Sequence, residues 1–158
     1  MALTTWALLL PEAGFRSQVL GLAEAVGGQV VEKNLTVRLP WSHLPLALCP
    51  FPLMGLGHGS DPLTPPWPDL VISCGRRTIP IAIAIKRASG GRTKAVHIQD
   101  CKGAASSFDL VIPMSHDGLS GPNVLAVDTA LHRVSRKRLA EAHDIWQERM
   151  QAYARPLI

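Results

Sequence analysis

Short and nearly continuous apolar runs recur along the chain and predict buried β-strands. The clearest of these runs are residues 4–10, 69–73, 94–99, 109–112 and 123–127. Runs without polar alternation are typical of parallel strands that helices cover on both faces. Residues 29–39 add one or two shorter strands, with Lys33-Asn34 as the expected turn between them.

Three predicted helices lie between or after these strands. The first carries apolar residues at intervals of three or four positions, namely Phe15, Val19, Leu22 and Val26. Gly27-Gly28 ends it, and a second helix begins after Thr78, its expected cap, and ends before Gly90-Gly91. The third begins at Ser135 and places four apolar residues roughly on one face, namely Leu139, Ala142, Trp146 and Tyr153. This order predicts an α/β fold, a Rossmann-like three-layer domain with a mostly parallel sheet.

The segment 40–68 breaks the regular order because it holds eight of the chain's thirteen prolines. Proline interrupts helices and central strands, so we expect a long irregular loop. We interpret it as a loop within one domain that spans residues 1–158, not as a linker between two domains. Residues 39–60 contain no Asp, Glu, Lys or Arg, but their prolines exclude a helix long enough to cross a bilayer.

Composition narrows the class of protein. The 158 residues are 47% hydrophobic and 18% charged, which indicates a folded core and excludes disorder. Three cysteines without a C-x-x-C pair argue against a disulfide framework and favour a reducing compartment such as the cytoplasm. The net charge of +4 suits anionic ligands or an anionic membrane surface and does not choose between them.

Polar residues follow the predicted strands at their carboxyl ends. Ligands of open parallel sheets bind at this edge, because loops and helix N-termini converge there. The candidates for ligand binding are Gly14, Gln18, Gly75, Arg76, Arg77, Thr78, Gln99 and Asp100. The candidates for catalysis are His116 and Asp117.

The sequence Gly75-Arg76-Arg77 indicates the clearest anion site. A glycine lets the backbone approach a ligand, the following helix start presents free N–H groups, and two guanidinium groups suit phosphate or carboxylate. An alternative stays open, in which the two arginines lie in solvent or pair with Asp100 and Asp117.

The roles of the histidines and of Gln18 also stay open. His116 is a candidate acid/base group, although adjacent Ser115, His116 and Asp117 cannot form a relay triad. In the alternative interpretation Asp117 makes a turn and His116 anchors the loop. Gln18 binds either a ligand or the next loop, and His97 is expected to be a core residue.

Cofactor and metal motifs are missing from the sequence. The first turn has a single glycine, Gly14, where a dinucleotide fingerprint needs three, and there is no Walker A loop. His43 and His58 lack the spacing of metal ligands, and the basic residues interleave with few aromatics. We therefore expect no cofactor, no metal and no nucleic-acid partner.

Six short motifs follow one another in a specific order: PWPDLVISCGRR at 66–77, IKRASGG at 85–91, HIQD at 97–100, FDLV at 108–111, HD at 116–117 and GPNV at 121–124. Together with QVLGLAEA at 18–25, they extend the match over about residues 6–155. On these motifs the chain closely resembles the mitochondrial fission (elongated mitochondria) protein family, in the form of a bacterial-type member.

The resemblance implies a fold and a set of partners. Members of this family resemble GT-B glycosyltransferases, which have two Rossmann-like halves around a cleft. The chain corresponds to the N-terminal half, which receives the acceptor, whereas the second half holds most of the nucleotide-sugar. The implied partners are a nucleotide-sugar or a phosphorylated or glycosylated acceptor, together with the missing second half or a partner protein. The half alone is expected to be inactive.

The chain departs from the family pattern in two loops. Leu10 and Phe15 stand where an acidic residue and a His commonly flank the glycine of the first turn. The resemblance therefore implies little acid/base chemistry for that loop. Cys101-Lys102 replaces the usual Pro-Arg after Asp100.

Three hypotheses on function follow. In the first, the sheet edge of a glycosyltransferase-like domain binds an anionic or sugar-bearing ligand, with His116 or Asp117 as the base for a sugar hydroxyl. In the second, the protein is a non-enzymatic adaptor or scaffold in membrane fission or cell-envelope processes. In the third, a cytoplasmic protein contacts a membrane peripherally through an apolar patch. That patch, which could instead cover the sheet or the second half, comprises Trp41, Leu44, Leu46, Leu48, Phe51 and Leu53.

Overall fold

The computed structural model describes residues 2–45, 48–49 and 51–151 of the chain. Its strands are β1 (Thr4–Leu9), β2 (Gln29–Asn34), β3 (Leu70–Cys74), β4 (Lys94–Ile98) and β5 (Leu110–Ile112). Its helices are α1 (Ala13–Val26), α2 (Ile79–Ala88) and α3 (Arg136–Gln151). The strands form one sheet in the order β2-β1-β3-β4-β5, and every neighbouring pair is parallel. The predicted α/β Rossmann-like fold is confirmed.

Strands β1, β3 and β5 are largely apolar and buried because both faces of the sheet are covered there, whereas the edge strand β2 is polar and partly exposed. Successive side chains alternate between the faces. On one face, Ala7 and Leu9 pack against Val19 and Leu20 of α1. On the other face, residues of β1, β3 and β5 pack against α2 and the long loop, in a cluster that includes Leu8, Val71, Ile79, Ile85 and Leu35.

The predicted turn at Lys33-Asn34 is wrong, because both residues continue β2. The aliphatic stem of Lys33 carries its ammonium group to within 4.5 Å of the Trp6 ring centre, so a charged residue covers apolar surface there. Beyond β2, residues 35–39 form a single bridge between Val37 and Leu56 instead of a second strand.

Two other local predictions differ from the structure. Residues 123–127 form isolated bridges beside β5, from Val124 to Val111 and from Val127 to Met114, and not a full strand. The Thr78 hydroxyl does not cap α2, because it donates backwards to backbone carbonyl groups in its own turn.

The helix α3 begins where the sequence predicts, with the Arg138 backbone N–H donating to Ser135 Oγ at 3.2 Å. Its apolar side chains stay exposed, including Leu139 at 59% and Trp146 at 52%. Tyr153 lies outside the described residues. Over the described residues, we find no helix with the length and apolar character that a bilayer crossing requires.

The strand order creates a topological switch point between β1 and β3. The chain leaves β1 through α1 to reach β2 on one side, then crosses back through the proline-rich segment to β3 on the other side. Connections that leave β1 and β3 in opposite directions open a crevice beyond their carboxyl ends, where α/β proteins bind ligands.

Replacing Leu8, a fully buried strand residue, with alanine is expected to lower the free energy of unfolding by about 2–5 kcal/mol, because it leaves a cavity in the core. Leu139→Ala on the exposed face of α3 is the matched control and should change it by less than about 0.5 kcal/mol. Urea denaturation of both variants measures the difference, and equal losses would contradict the assigned core.

Candidate functional site

A cavity of about 430 Å³ lies at the switch point and is called the switch-point cavity here. Its lining residues come from the loops after β1 and β3 and from the proline-rich segment: Leu10, Phe15, Val37, Leu39, Ser42, His43, Arg76 and Arg77. Half of these residues are apolar, and the others supply two guanidinium groups, one imidazole and one hydroxyl group. Small-molecule sites commonly combine apolar surface with a few polar groups.

The glycine after β3 brings the arginines to this cavity. Gly75 has φ +84°, and a Cβ built on it would lie 2.9 Å from Cε2 of Phe15. The next residues form a short 3-10 turn, Arg76–Thr78, that leads into α2. The buried Thr78 hydroxyl fixes this turn by donating to the carbonyls of Cys74 at 3.0 Å and Gly75 at 2.9 Å. The Thr78 hydroxyl proton is therefore used within the loop and is not available to a ligand in the cavity.

The two arginines differ in how their charge is balanced. Arg77 forms an ion pair with Glu12, from the loop after β1. Arg76 donates to the backbone carbonyl of Ser42 at 3.0 Å and has no ion pair among the described residues. Arg76 thus supplies the unbalanced positive charge of the switch-point cavity.

Of the alternatives to an anion site, the pairing of the arginines with Asp100 and Asp117 is wrong, whereas Arg76 is exposed, as the solvent alternative expects. Lys102 holds Asp100 with Nζ at 2.6 Å from Oδ2 and with its backbone N–H at 2.9 Å from Oδ1. The hydrogen bond from the Lys102 side chain lowers the pKa of Asp100, and the same bond raises the pKa of Lys102. The Asp117 carboxylate also raises the pKa of Lys102, so the loops after β4 and β5 lie within electrostatic range.

The catalytic candidates lie in a short turn after β5. The His116 side chain is 76% exposed, and its Nε2 is 3.7 Å from Asp117 Oδ1, beyond hydrogen-bond distance. Asp117 accepts the backbone N–H of Met114 at 3.0 Å, and Gly118 has φ +66°. Asp117 therefore makes a turn, as the alternative interpretation expects, but the His116 side chain makes no hydrogen bond among the described residues that would anchor the loop. Ser115 donates to Asp128 at 2.6 Å and not to His116, as expected without a relay triad.

The remaining candidates lie beside the same sheet edge. Gly14 and Gln18 belong to the first turns of α1. Gln99 follows β4 with φ +81°, a left-handed conformation that is costly for a residue other than glycine, and its N–H donates to Ile112 O at 2.8 Å. Asp100 and His116 are not among the residues that line the switch-point cavity. Of the candidates from the sequence, only Arg76 and Arg77 line the cavity, and Gln99, Asp100, His116 and Asp117 form a separate group in the loops after β4 and β5.

Three polar residues of this region were not singled out as candidates from the sequence. Glu12 pairs with Arg77, the Ser42 carbonyl accepts from Arg76, and the His43 Nδ1 lies 2.9 Å from Ser42 Oγ. No sequence motif marks these three residues. Ser42 and His43 reach the cavity only because the proline-rich segment crosses from β2 to β3. Within the described ranges, no group of three or more His, Cys, Asp or Glu side chains could hold a metal ion.

His97 is a core residue, as predicted. It is completely buried, and its Nδ1 lies 2.9 Å from Ser73 Oγ on the neighbouring strand. Burial lowers the pKa of His97 to about 4. The ring is therefore neutral at physiological pH and packs against Phe108 with a centroid distance of 5.2 Å.

Comparison with known proteins gives a family match over most of the chain. A family model described as mitochondrial fission ELM1 matches residues 13–158. A curated relative, mitochondrial fission protein ELM1 from Arabidopsis thaliana, is 27% identical over 114 residues. That match covers 58% of this chain and 27% of the relative, so it spans little more than a quarter of the relative's length. No solved structure matches the chain significantly.

Gly75→Ala is expected to lower the free energy of unfolding by about 1–3 kcal/mol, because the new Cβ would meet Phe15 and strain a left-handed backbone. Gly14→Ala is the matched control, since its Cβ would meet nothing within 4 Å and alanine favours a helix. Thermal or urea unfolding measures both variants. A loss for Gly14→Ala as large as for Gly75→Ala would contradict the tight Gly75–Phe15 contact.

The buried imidazole predicts a loss of stability in mild acid. The pKa of His97 is about 4 in the fold against 6.5 when exposed, so only the unfolded chain gains a proton as the pH falls between these values. At about pH 5 this costs about 2 kcal/mol of stability relative to about pH 7.5. Urea denaturation at both values should show a smaller drop for His97→Gln than for the unchanged protein. An identical drop in the variant would contradict the assignment.

Proposed function

Because the chain belongs to the mitochondrial fission ELM1 family, we propose that it is the acceptor-side domain of a glycosyltransferase-like protein. In this proposal the switch-point cavity binds an anionic or sugar-bearing ligand at the carboxyl edge of the sheet. The observation that carries the proposal is the unbalanced charge of Arg76 beside an apolar wall at the switch point. A guanidinium group offers a planar set of donors that matches phosphate or carboxylate oxygens.

The surroundings of Arg76 favour an anion. The short turn Arg76–Thr78 leads directly into α2, whose N-terminal end adds a positive electrostatic potential. Phe15 and Leu10 line the same cavity and supply apolar surface near the exposed Arg76. The cavity volume of about 430 Å³ is suited to a small molecule, such as one phosphorylated sugar unit.

The neutral Arg77–Glu12 pair suits a different part of the ligand. Its charges cancel, but its carboxylate oxygens can still accept hydrogen bonds from sugar hydroxyl groups. We assign acid/base chemistry to His116 or Asp117, on a ligand that extends from the cavity towards the loops after β4 and β5. His43 is a further imidazole candidate, since it lines the cavity.

A second domain completes the site in this proposal. The matched segment is only 27% of the Arabidopsis relative, so most of that protein has no counterpart in the match. A nucleotide-sugar donor would bind mainly to this second domain, or to a partner protein that replaces it. The domain described here would then bind without catalysing the transfer by itself.

An adaptor is the second candidate function, and the exposure of apolar residues along α3 favours it. Leu139, Ile145 and Trp146 are all more than half exposed on this helix. Apolar side chains displayed together on one element often mark a surface that contacts another protein. The Arabidopsis relative is named a mitochondrial fission protein.

Arg76→Ala is expected to weaken the binding of inorganic pyrophosphate by about tenfold, because it removes a charge-assisted hydrogen bond. Arg92→Ala is the matched control. Arg92 also donates to a backbone carbonyl, that of Ser89 at 3.0 Å, but it precedes β4 and so lies at the opposite edge of the sheet. Isothermal titration calorimetry with pyrophosphate and with a uridine diphosphate sugar measures both variants.

Equal affinities of the Arg76 and Arg92 variants would contradict the proposed anion site. The adaptor function is tested separately by replacing the family protein in its host with variants. If Arg76→Ala and His116→Ala keep full biological activity while Trp146→Gln loses it, the adaptor function is favoured over the enzymatic one.

A further inference from the structure

An apolar groove of about 890 Å³ runs between the short turn Pro52–Gly55 and α2. Pro52 and Leu53 line one side, and Ile83 and Ala84 of α2 line the other. This groove, called the α2 groove here, shares no lining residue with the switch-point cavity. It is therefore a separate feature, which the proposed function does not use.

Large apolar side chains project from the border of the α2 groove. Phe51 is 74% exposed and Met54 is 61% exposed, and Leu48 just before them is 64% exposed. Phe51 also has φ +51°, a left-handed backbone conformation that is rare for an aromatic residue. Such conformations cost free energy and cluster at sites of function. An exposed aromatic ring held at this cost indicates a contact that the isolated domain does not make.

The turn that carries these side chains is braced from behind. Arg38 donates to the Met54 carbonyl at 2.7 Å, and its guanidinium group lies 5.2 Å from the Trp41 ring centre. The Trp41 ring in turn packs directly on the backbone of Gly55. The backbone of Met54 and Gly55 is therefore held by Arg38 and Trp41, while the Met54 side chain is exposed.

In the structure, only some residues of the apolar patch that the sequence suggested as a membrane contact are exposed. Leu48 and Phe51 are exposed, as that hypothesis needs. Trp41 packs on Gly55, and Leu53 packs against the core, as the alternative of covering the sheet needs. Leu46 lies outside the described residues.

Positive charge borders the apolar surface. Arg87 is exposed at the α2 groove and has no ion pair among the described residues. Lys102 also borders it, but shares its charge with Asp100. Residues 39–60 contain no acidic side chain, so nothing in this segment repels an anion. Projecting apolar side chains beside a cation complement the boundary between the acyl chains and the headgroups of an anionic bilayer.

We propose that this face docks on a bilayer that contains anionic phospholipid. Phe51 and Met54 enter the acyl region, and Arg87 meets a lipid phosphate at the level of the headgroups. The α2 groove then accepts apolar lipid surface between the turn and the helix. The proposal is independent of the switch-point cavity, so the Arg76→Ala variant is expected to keep its full membrane binding.

Co-sedimentation with phosphatidylcholine–phosphatidylglycerol vesicles tests the proposal. The double variant Phe51→Asn, Met54→Gln should lower the partition coefficient by about tenfold or more. Asparagine tolerates the left-handed backbone, so this variant is expected to fold, and circular dichroism checks that it does. The matched control is Leu139→Asn, Trp146→Gln on α3, which removes comparable exposed apolar surface elsewhere and should leave binding unchanged.

The charge is tested in the same assay. Arg87→Gln should lower binding to anionic vesicles by about fivefold, whereas Arg136→Gln on α3 should have little effect. Failure of the unchanged protein to sediment with anionic vesicles would overturn the proposal, as would equal losses in the two double variants. Loss of a dimer in sedimentation velocity for the Phe51 and Met54 variant, with vesicle binding unchanged, would assign the face to contacts between copies and also overturn it.

Discussion

The parallel pairing of β1 with β3 is the constraint on which the candidate site depends. Thr5 lies opposite Leu70 and Ala7 opposite Ile72, so the two strands end at the same edge of the sheet. This pairing brings Glu12 next to Arg77 and the Phe15 ring against Gly75, although these residues are about sixty positions apart in sequence. The strand order and Gly75 together therefore produce a crevice with a positive charge.

The second consequence of the strand order is the path of the proline-rich segment. It must cross from β2 to the far side of β1, and on the way it passes the crevice, where Ser42 meets Arg76. Farther along, its short turn packs against α2 and presents Phe51 and Met54 outwards. One irregular connection therefore contributes to two separate surfaces, the switch-point cavity and the α2 groove.

Local patterns predicted the elements of the sheet, but not the contacts between loops. The apolar run of β1 and the helical spacing around Val19 are properties of neighbouring residues, so both elements were predicted with nearly correct bounds. The Lys33-Asn34 turn was wrong because a lysine stem can cover an aromatic ring in a strand. The pairing of Arg76 and Arg77 with Asp100 and Asp117, one of the alternatives left open, does not occur, because Glu12 pairs with Arg77 and Lys102 neutralises Asp100 locally. Glu12 and Ser42 reach the arginines only through the fold, and no spacing in the sequence shows this.

The most direct measurement of the central claim is arginine footprinting with phenylglyoxal, read by mass spectrometry, with and without pyrophosphate. If the crevice at the β1–β3 switch point holds an anion through Arg76, pyrophosphate should slow the modification of Arg76 and leave Arg92 and Arg87 unchanged. Arg77 should show less protection, since Glu12 already occupies its guanidinium group. Modification of Arg76 at the same rate with and without pyrophosphate would contradict the account.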